Sequence, residues 1–301
     1  MTNVTILVPS NDALRSFLND TAMARMPAPD SGAIAAVLSY HVLNGTYFAN
    51  NFTDTPMFIE TMLENSTYEN VTGGQVVEAR KDGDMVSFYS ALKTEANITQ
   101  ADLNFNGGVV HTINRVLEIL MNLSATYIAA NLITVIGAIS VAHLTNDFID
   151  MQNMTVFAPN NGASQLLPLS ITLENGTLRT VEGSSVNISV DNGIVYVNKA
   201  RVILPDVLIS NGVVHVIDNV LNPSNKSGTP NPTTTGPAFS GASTVSGGNV
   251  PFTSNIHTPT ETATGLETLT SPAAGVPHAT AAVAFGALFG GAAMVMNGLC
   301  V

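Results

Sequence analysis

One unit is written twice in this chain, with a piece missing from the second copy. Residues 4–14 read VTILVPSNDAL and residues 154–164 read MTVFAPNNGAS, an offset of 150, while residues 108–117 (GVVHTINRVL) and 212–221 (GVVHVIDNVL) superimpose at 104. A period this long means tandem domains, because solenoid repeats recur every 20–50 residues or about that. From Pro9 to His111 the chain advances 102 residues and from Pro159 to His215 only 56, a shortfall of 46. Leu63-Glu64-Asn65 matches Leu173-Glu174-Asn175, which places about 40 of the missing residues between Ser164 and Leu173.

Local patterns fill in each copy. Residues 4–8 are an apolar strand stopped by Pro9, and Ser10 or Asn11 caps a helix running to Leu18, since short side-chain oxygens accept the free N–H groups of a first turn. Residues 34–42 read as a second helix. Residues 76–79 and 85–89 form a hairpin about Lys81-Asp82-Gly83-Asp84, and residues 186–190 and 194–197 repeat it about Asp191-Asn192-Gly193. Residues 108–113 and 212–217 are closing strands. Strands and helices in this order predict an α+β domain, a small twisted β-sandwich or wedge with helices packed to one side.

Three of these strings resemble the landmarks of the fasciclin domain, a module of extracellular and cell-surface proteins. The first is the strand-to-helix pattern at residues 5–14 and 155–164. The second is the pair Tyr40-His41 in LSYHVLNG. The third is the NGVVH string at residues 106–117, with one extra Gly, and at 211–221. The resemblance implies the same α+β fold and a role in adhesion, to like domains, matrix proteins, receptors or glycans. It also implies that the segment around Tyr40-His41 makes adhesive contacts, with Leu38, Tyr40, His41, Val42 and Leu43 as candidates. Copy two departs from the pattern: it has no Tyr-His pair, and Gly162 stands where copy one has Asp12. The run at 124–151 has no counterpart before copy one, and no charged, apolar, small-residue leader precedes Val4. The expectation is a chain truncated at its start and internally spliced, or a gene reading that lacks those stretches. The expected domains are 1–121, 122–224 with an internal truncation, a stalk at 225–278 and a tail at 279–301.

Charge narrows the partners. Ten basic against 22 acidic residues give a net charge of −12 with no Lys/Arg cluster, which excludes a nucleic-acid footprint. Cys300 is the one cysteine, so there is no disulfide framework and no cysteine-based metal site. Asn-X-Ser/Thr sequons occur at Asn3, Asn19, Asn44, Asn51, Asn65, Asn70, Asn97, Asn122, Asn153, Asn175, Asn187 and Asn225, roughly twice the number chance would place. They point to the secretory pathway.

The C-terminal quarter changes character. Between residues 225 and 278, Ser, Thr, Pro and Gly supply 32 of 54 residues and only Lys226, Glu261 and Glu267 are charged. Such a stretch buries too little apolar surface to offset its ordering entropy, and it has the composition of a disordered, O-glycosylated stalk. Residues 279–301 carry no charge, and no Lys or Arg follows them to hold a cytoplasmic end. Small residues at Ser271, Ala273, Ala274 and Gly275, a short spacer and a terminal apolar tail fit a GPI-attachment signal, with a C-terminal spanning helix as the alternative. A second uncharged run, residues 127–144, is interrupted by Asn131, Thr134, Ser140 and His143 and divided by Gly137. It reads as buried helices, with a new one starting at Thr145.

Ser10, Asp12, His41 and His111 include the residue types of a hydrolase triad. Against catalysis, the chain has no Gly-X-Ser-X-Gly elbow, no H-E-x-x-H helix and no phosphate-binding glycine pattern. The histidines are expected to fix helix against sheet, with Asp12, His111 and His215 as fold determinants and Asp12 as a partner or cap. No cofactor or metal is expected. The reading is a non-catalytic surface adhesion protein held at the outer leaflet by a GPI anchor. The alternatives are a surface or vacuolar hydrolase or glycan-modifying enzyme using Ser10 and His41, and a secretory-compartment scaffold.

Overall fold

The computed structural model describes residues 2–19, 31–160, 175–191 and 193–222, with three short strand pieces beyond them. It divides into two units, Met1–Met121 and Asn122–Val301. In the first, strands β1 (Val4–Pro9), β2 (Val42–Asn44), β3 (Met57–Glu60), β4 (Val76–Asp82), β5 (Met85–Tyr89), β6 (Glu95–Phe105) and β7 (Gly108–Ile113) lie in the order β2-β1-β7-β6-β5-β4-β3. Helices α1 (Asn11–Asn19) and α2 (Ser31–Tyr40) fall between β1 and β2.

The wedge shape comes from β6. Its first residues pair with β5 (Phe88 opposite Ala96), and its remainder pairs with β7 (Ile98 opposite Ile113 through Phe105 opposite Gly108), with two register shifts along the way. Such bulges bend a strand and raise its twist, which lets one strand serve two faces. Between them Leu7, Tyr40, Leu43, Leu63, Phe88, Ile113 and Leu117 are fully buried. Phe52 meets Phe88 edge-on at 5.5 Å between ring centroids.

The second unit opens with helices α3 (Leu123–Ala129), α4 (Ile133–Val141) and α5 (Thr145–Asp150). Leu123, Tyr127, Ile133, Ile136 and Ile139 are buried, as expected of packed helices. The break in the run falls not at Gly137, which sits inside α4, but at residues 130–132, where Asn131 takes φ +56°. Asn visits that region at low cost because its short polar side chain bonds locally. Among the described residues no helix is long and apolar enough to cross a membrane. Then follow β8 (Met154–Pro159), β9 (Gly176–Arg179), β10 (Ser185–Asp191), β11 (Ile194–Val197), β12 (Ala200–Ile209) and β13 (Gly212–Ile217), in the order β8-β13-β12-β11-β10-β9. Matched strand for strand, that is β1-β7-β6-β5-β4-β3. Phe157, Val186, Ile188, Val195, Val197, Val202, Ile217 and Leu221 form its core.

Strand pairing corrects where residues are missing. The Leu-Glu-Asn match is not a structural equivalence: Leu63 follows β3, whereas Leu173 precedes β9. The connection from β1 to β3 takes 47 residues (10–56) and that from β8 to β9 takes 16 (160–175), a loss of 31. The next connection falls from 15 residues (61–75) to five (180–184), a loss of ten. The remaining five are lost between the hairpin and the closing strand. Among the described residues, unit 2 therefore has no counterpart of α1, α2 or β2 following β8.

The sequence ended the second helix at Val42, but α2 stops at Tyr40, and Val42 and Leu43 belong to β2. The β-branched Val42 suits the extended strand. Of the stalk, only β14 (Thr244–Val245) and β15 (His278–Ala279) are described, paired with each other. Of the tail, β16 (Ala293–Met296) is described and lies on β8. Ser271, Ala273, Ala274, Gly275 and Asn225 lie outside the described residues, so the expected disorder of the stalk falls there too.

One local difference explains the extra glycine of copy one. Asn211 is buried, and its Nδ2 donates to the carbonyls of Phe148 (2.8 Å), Ile149 (3.3 Å) and Met151 (2.9 Å), closing the end of α5 just before β8. Gly107 stands at that position in unit 1. Asn211→Ala is expected to cost about 2 kcal/mol, because buried carbonyls lose their donor. Thermal unfolding would show this as a fall in the Tm of unit 2 with unit 1 unmoved.

Candidate functional site

His41 joins three elements. Its Nε2 accepts the N–H of Leu117 (2.9 Å), which leaves Nδ1 as the protonated nitrogen, donating to the carbonyl of Val37 (2.7 Å) at the end of α2. Its own carbonyl accepts the N–H of Leu7 in β1 (2.9 Å). Burial lowers its pKa, partly offset by the bond to Val37. Tyr40 is fully buried, its hydroxyl donating to the carbonyl of Val76 (3.1 Å), and burial raises its pKa. Leu43 is also fully buried and Val42 partly so. Of the five adhesive candidates only Leu38 is open, at 64% exposure. The Tyr-His string is a core staple, and buried side chains present no surface to a partner.

His111 and His215 sit at the same place in the two sheets. The Nδ1 of His111 accepts the N–H of Asp102 (3.1 Å), so its Nε2–H donates to the carbonyl of Tyr47 (2.8 Å). The Nδ1 of His215 likewise accepts the N–H of Asp206 (3.1 Å). Both aspartates take positive φ, +60° and +55°, in the irregular stretches of β6 and β12, where the ladder needs an outside acceptor. Sequence reasoning missed Asp102 and Asp206. The signal was present: each lies nine residues before its histidine (102 to 111, 206 to 215).

Asp12 is not the partner. It is exposed in the first turn of α1 and pairs with Arg15 at 2.7 Å, with both side chains largely in water. Such a pair contributes little to stability, and a fold determinant it is not. The cap is Ser10, whose Oγ accepts the N–H of Ala13 (3.1 Å). With that hydroxyl capping a helix and both ring nitrogens of His41 bonded to backbone, Ser10 and His41 do not form a nucleophile and base. Among the described residues, no three His, Cys, Asp or Glu gather to hold a metal.

A largely buried charge pair links β4 to the turn that follows β5. Lys93 Nζ meets the carboxylate of buried Glu78 and also lies 5.2 Å from the centroid of the Tyr89 ring. The arrangement neutralises Glu78 inside the sheet.

The eleven described sequon asparagines include no buried one: Asn70, Asn97 and Asn153 are partly covered, and Asn3, Asn19, Asn44, Asn51, Asn65, Asn122, Asn175 and Asn187 are exposed.

The Fasciclin domain profile matches residues 1–119 and 167–223. The chain belongs to the fasciclin domain family. Fasciclin relatives include the Fasciclin-like arabinogalactan protein of Arthroderma benhamiae, 30% identical over 287 residues, covering 86% of this chain and 68% of that one. Another is Fasciclin-like arabinogalactan protein elcF of Phaeosphaeria nodorum, 25% identical over 247 residues, covering 73% and 78%. A solved FAS1 domain pair from the insect cell adhesion molecule Fasciclin I aligns at 18% identity and a TM-score of 0.32, over 72% of this chain and 88% of that one. Within the fasciclin profile, the gap between its two matched stretches takes in α3 to α5 and β8.

Proposed function

We propose that this fasciclin protein is a non-catalytic cell-surface interaction protein, its two units carried on a glycosylated stalk and tethered to the outer leaflet through a GPI anchor. The observation that carries the reading is the placement of the sequons: every described one leaves its asparagine accessible, spread over both units. Buried asparagines would have argued for chance matches. The relatives named as arabinogalactan proteins support a glycan-rich setting. The commitment of His41 and His111 to backbone leaves the surface, not a cleft, as the working part.

The contact face proposed is the outer side of α1 and α2 in unit 1. Leu38 and Ile34 are one helical turn apart on α2 and 64% and 54% exposed, and Leu14 and Leu18 repeat the spacing on α1. The partners proposed are a like fasciclin protein, a matrix protein or a glycan.

The test is treatment of intact cells with a phosphatidylinositol-specific phospholipase, followed by binding of the released protein to itself and to wall glycans. Release into the medium is expected, with Leu38→Asp weakening binding and leaving the Tm unchanged. Retention in the membrane pellet would refute the anchor, and unaltered binding by Leu38→Asp would refute the face.

A further inference from the structure

In unit 1 a set of side chains grips a backbone segment whatever that segment's own side chains are. Thr5 Oγ1 donates to the carbonyl of Gly45 and accepts the N–H of Tyr47, both at 2.8 Å. His111 Nε2 donates to the carbonyl of Tyr47 (2.8 Å), and Asp102 Oδ1 accepts the N–H of Ala49 (2.9 Å). Together they hold β2 and the loop after it against the edge of β1, with Thr5 opposite Leu43.

Unit 2 keeps the residues of that grip. Thr155 pairs with Val213 as Thr5 pairs with Val109, and Asp206 and His215 repeat Asp102 and His111. What the shortened connection after β8 does not supply, among the described residues, is a strand in the place of β2. The structure lays β16 there instead. Ala293–Met296 runs antiparallel along β8 with Val295 opposite Thr155, the register of Leu43 opposite Thr5.

We propose that unit 2 is a strand-accepting site and that its occupant is this chain's own segment Ala293–Met296, which completes the sheet at the place that β2 takes in unit 1. Recognition runs through main-chain groups, so a donor unrelated in sequence to residues 42–44 is accepted, as in strand addition generally. An uncovered β8 edge would be a template for pairing with other chains, and the tail masks it. The inference goes beyond the adhesive reading and concerns the full-length chain, before any exchange of its tail for a lipid.

The experiment is hydrogen exchange on the full-length protein, comparing it with Met294→Pro/Val295→Pro. Neighbouring residues of a strand point their N–H groups to opposite sides, so one of the two prolines must remove a donor facing β8. Amides of Thr155–Phe157 that face the edge are expected to exchange at least about 10-fold faster in the variant, a loss of local protection. Unchanged exchange there would overturn the proposal. A second measurement needs no comparison of stability: Val156→Cys/Met294→Cys, with Cys300→Ser, places two thiols directly opposite one another. An intramolecular disulfide on mild oxidation is expected. A disulfide between two chains would assign the edge to a second copy, and no disulfide would leave it to another segment; either outcome overturns the proposal. Because neither readout uses the anchor or binding to cells, its failure and that of the surface reading are told apart.

Discussion

Gly212→Ala is expected to abolish stable folding of unit 2, and Gly108→Ala to do nearly as much to unit 1. A Cβ built on Gly108 falls 1.8 Å from the carbonyl oxygen of Val4, and one on Gly212 falls 1.9 Å from that of Met154. Both obstacles are backbone atoms of the strand paired in parallel with the glycine's own, so no rotamer change relieves them. Gly212 also takes φ +152°, a conformation L side chains rarely adopt. Separating β8 from β13 far enough to admit a methyl group breaks the ladder at its first rung. A cost of about 4 kcal/mol or more follows, a large part of the 5–15 kcal/mol or so that holds a domain folded. Gly83→Ala provides the contrast: its turn has φ +59° but open space around the Cβ, so about 1 kcal/mol is expected. Thermal unfolding of the three variants, with proteolysis to assign the unit that opens, checks the order. A Gly212→Ala protein that unfolds with the wild type would refute the steric argument.

Acidification below about pH 6.5 is expected to weaken unit 1 through His41. Its folded pKa is depressed by burial, so the folded unit resists a proton that the unfolded chain accepts near the ordinary value of 6.5. The unfolded state then binds more protons, and stability rises with pH across that interval. The contribution is therefore full above pH 6.5 and lost progressively as pH falls toward the folded value. His41→Ala is expected to cost about 3 kcal/mol, because Leu117 N–H and the Val37 carbonyl lose their partner and a cavity replaces the ring. It should also flatten the pH dependence between 7 and 5. Denaturant unfolding at pH 5, 6 and 7 measures both. A wild-type protein equally stable at all three would show that His41 is not held neutral.

The periodic parts of the chain were legible before the fold. The hairpin at 76–89 and its copy at 186–197, the closing strands, the Ser10 cap and the new helix at Thr145 all rest on local chemistry. An adhesive role for the Tyr40-His41 segment rests on the resemblance, whereas residue type alone reads His41 as fixing helix against sheet. Only the surrounding elements reveal that Val76 and Leu117 satisfy the polar tips of Tyr40 and His41 in the interior. Asp12 stands out in the sequence because it lies in a recognised motif, whereas Asp102 lies in none. The Asp102 bond to His111 is made by its backbone N–H in an irregular strand, which no residue-type argument anticipates. A like difference separates residues 98–105, largely exposed, from 202–209, all buried, although they occupy equivalent strands of the two sheets. There the apolar composition of the second copy was the visible cue.

Duplication, the sequon pattern and the uncharged tail were determined by the order of residues alone, since each is a property of the string that folding does not change. Only the tertiary structure decided which deletion matters, which aspartate serves each histidine, and what lies against the edge of β8. Those are contacts between residues nine to more than 130 positions apart, and their energies exist only after the sheet has brought the strands together.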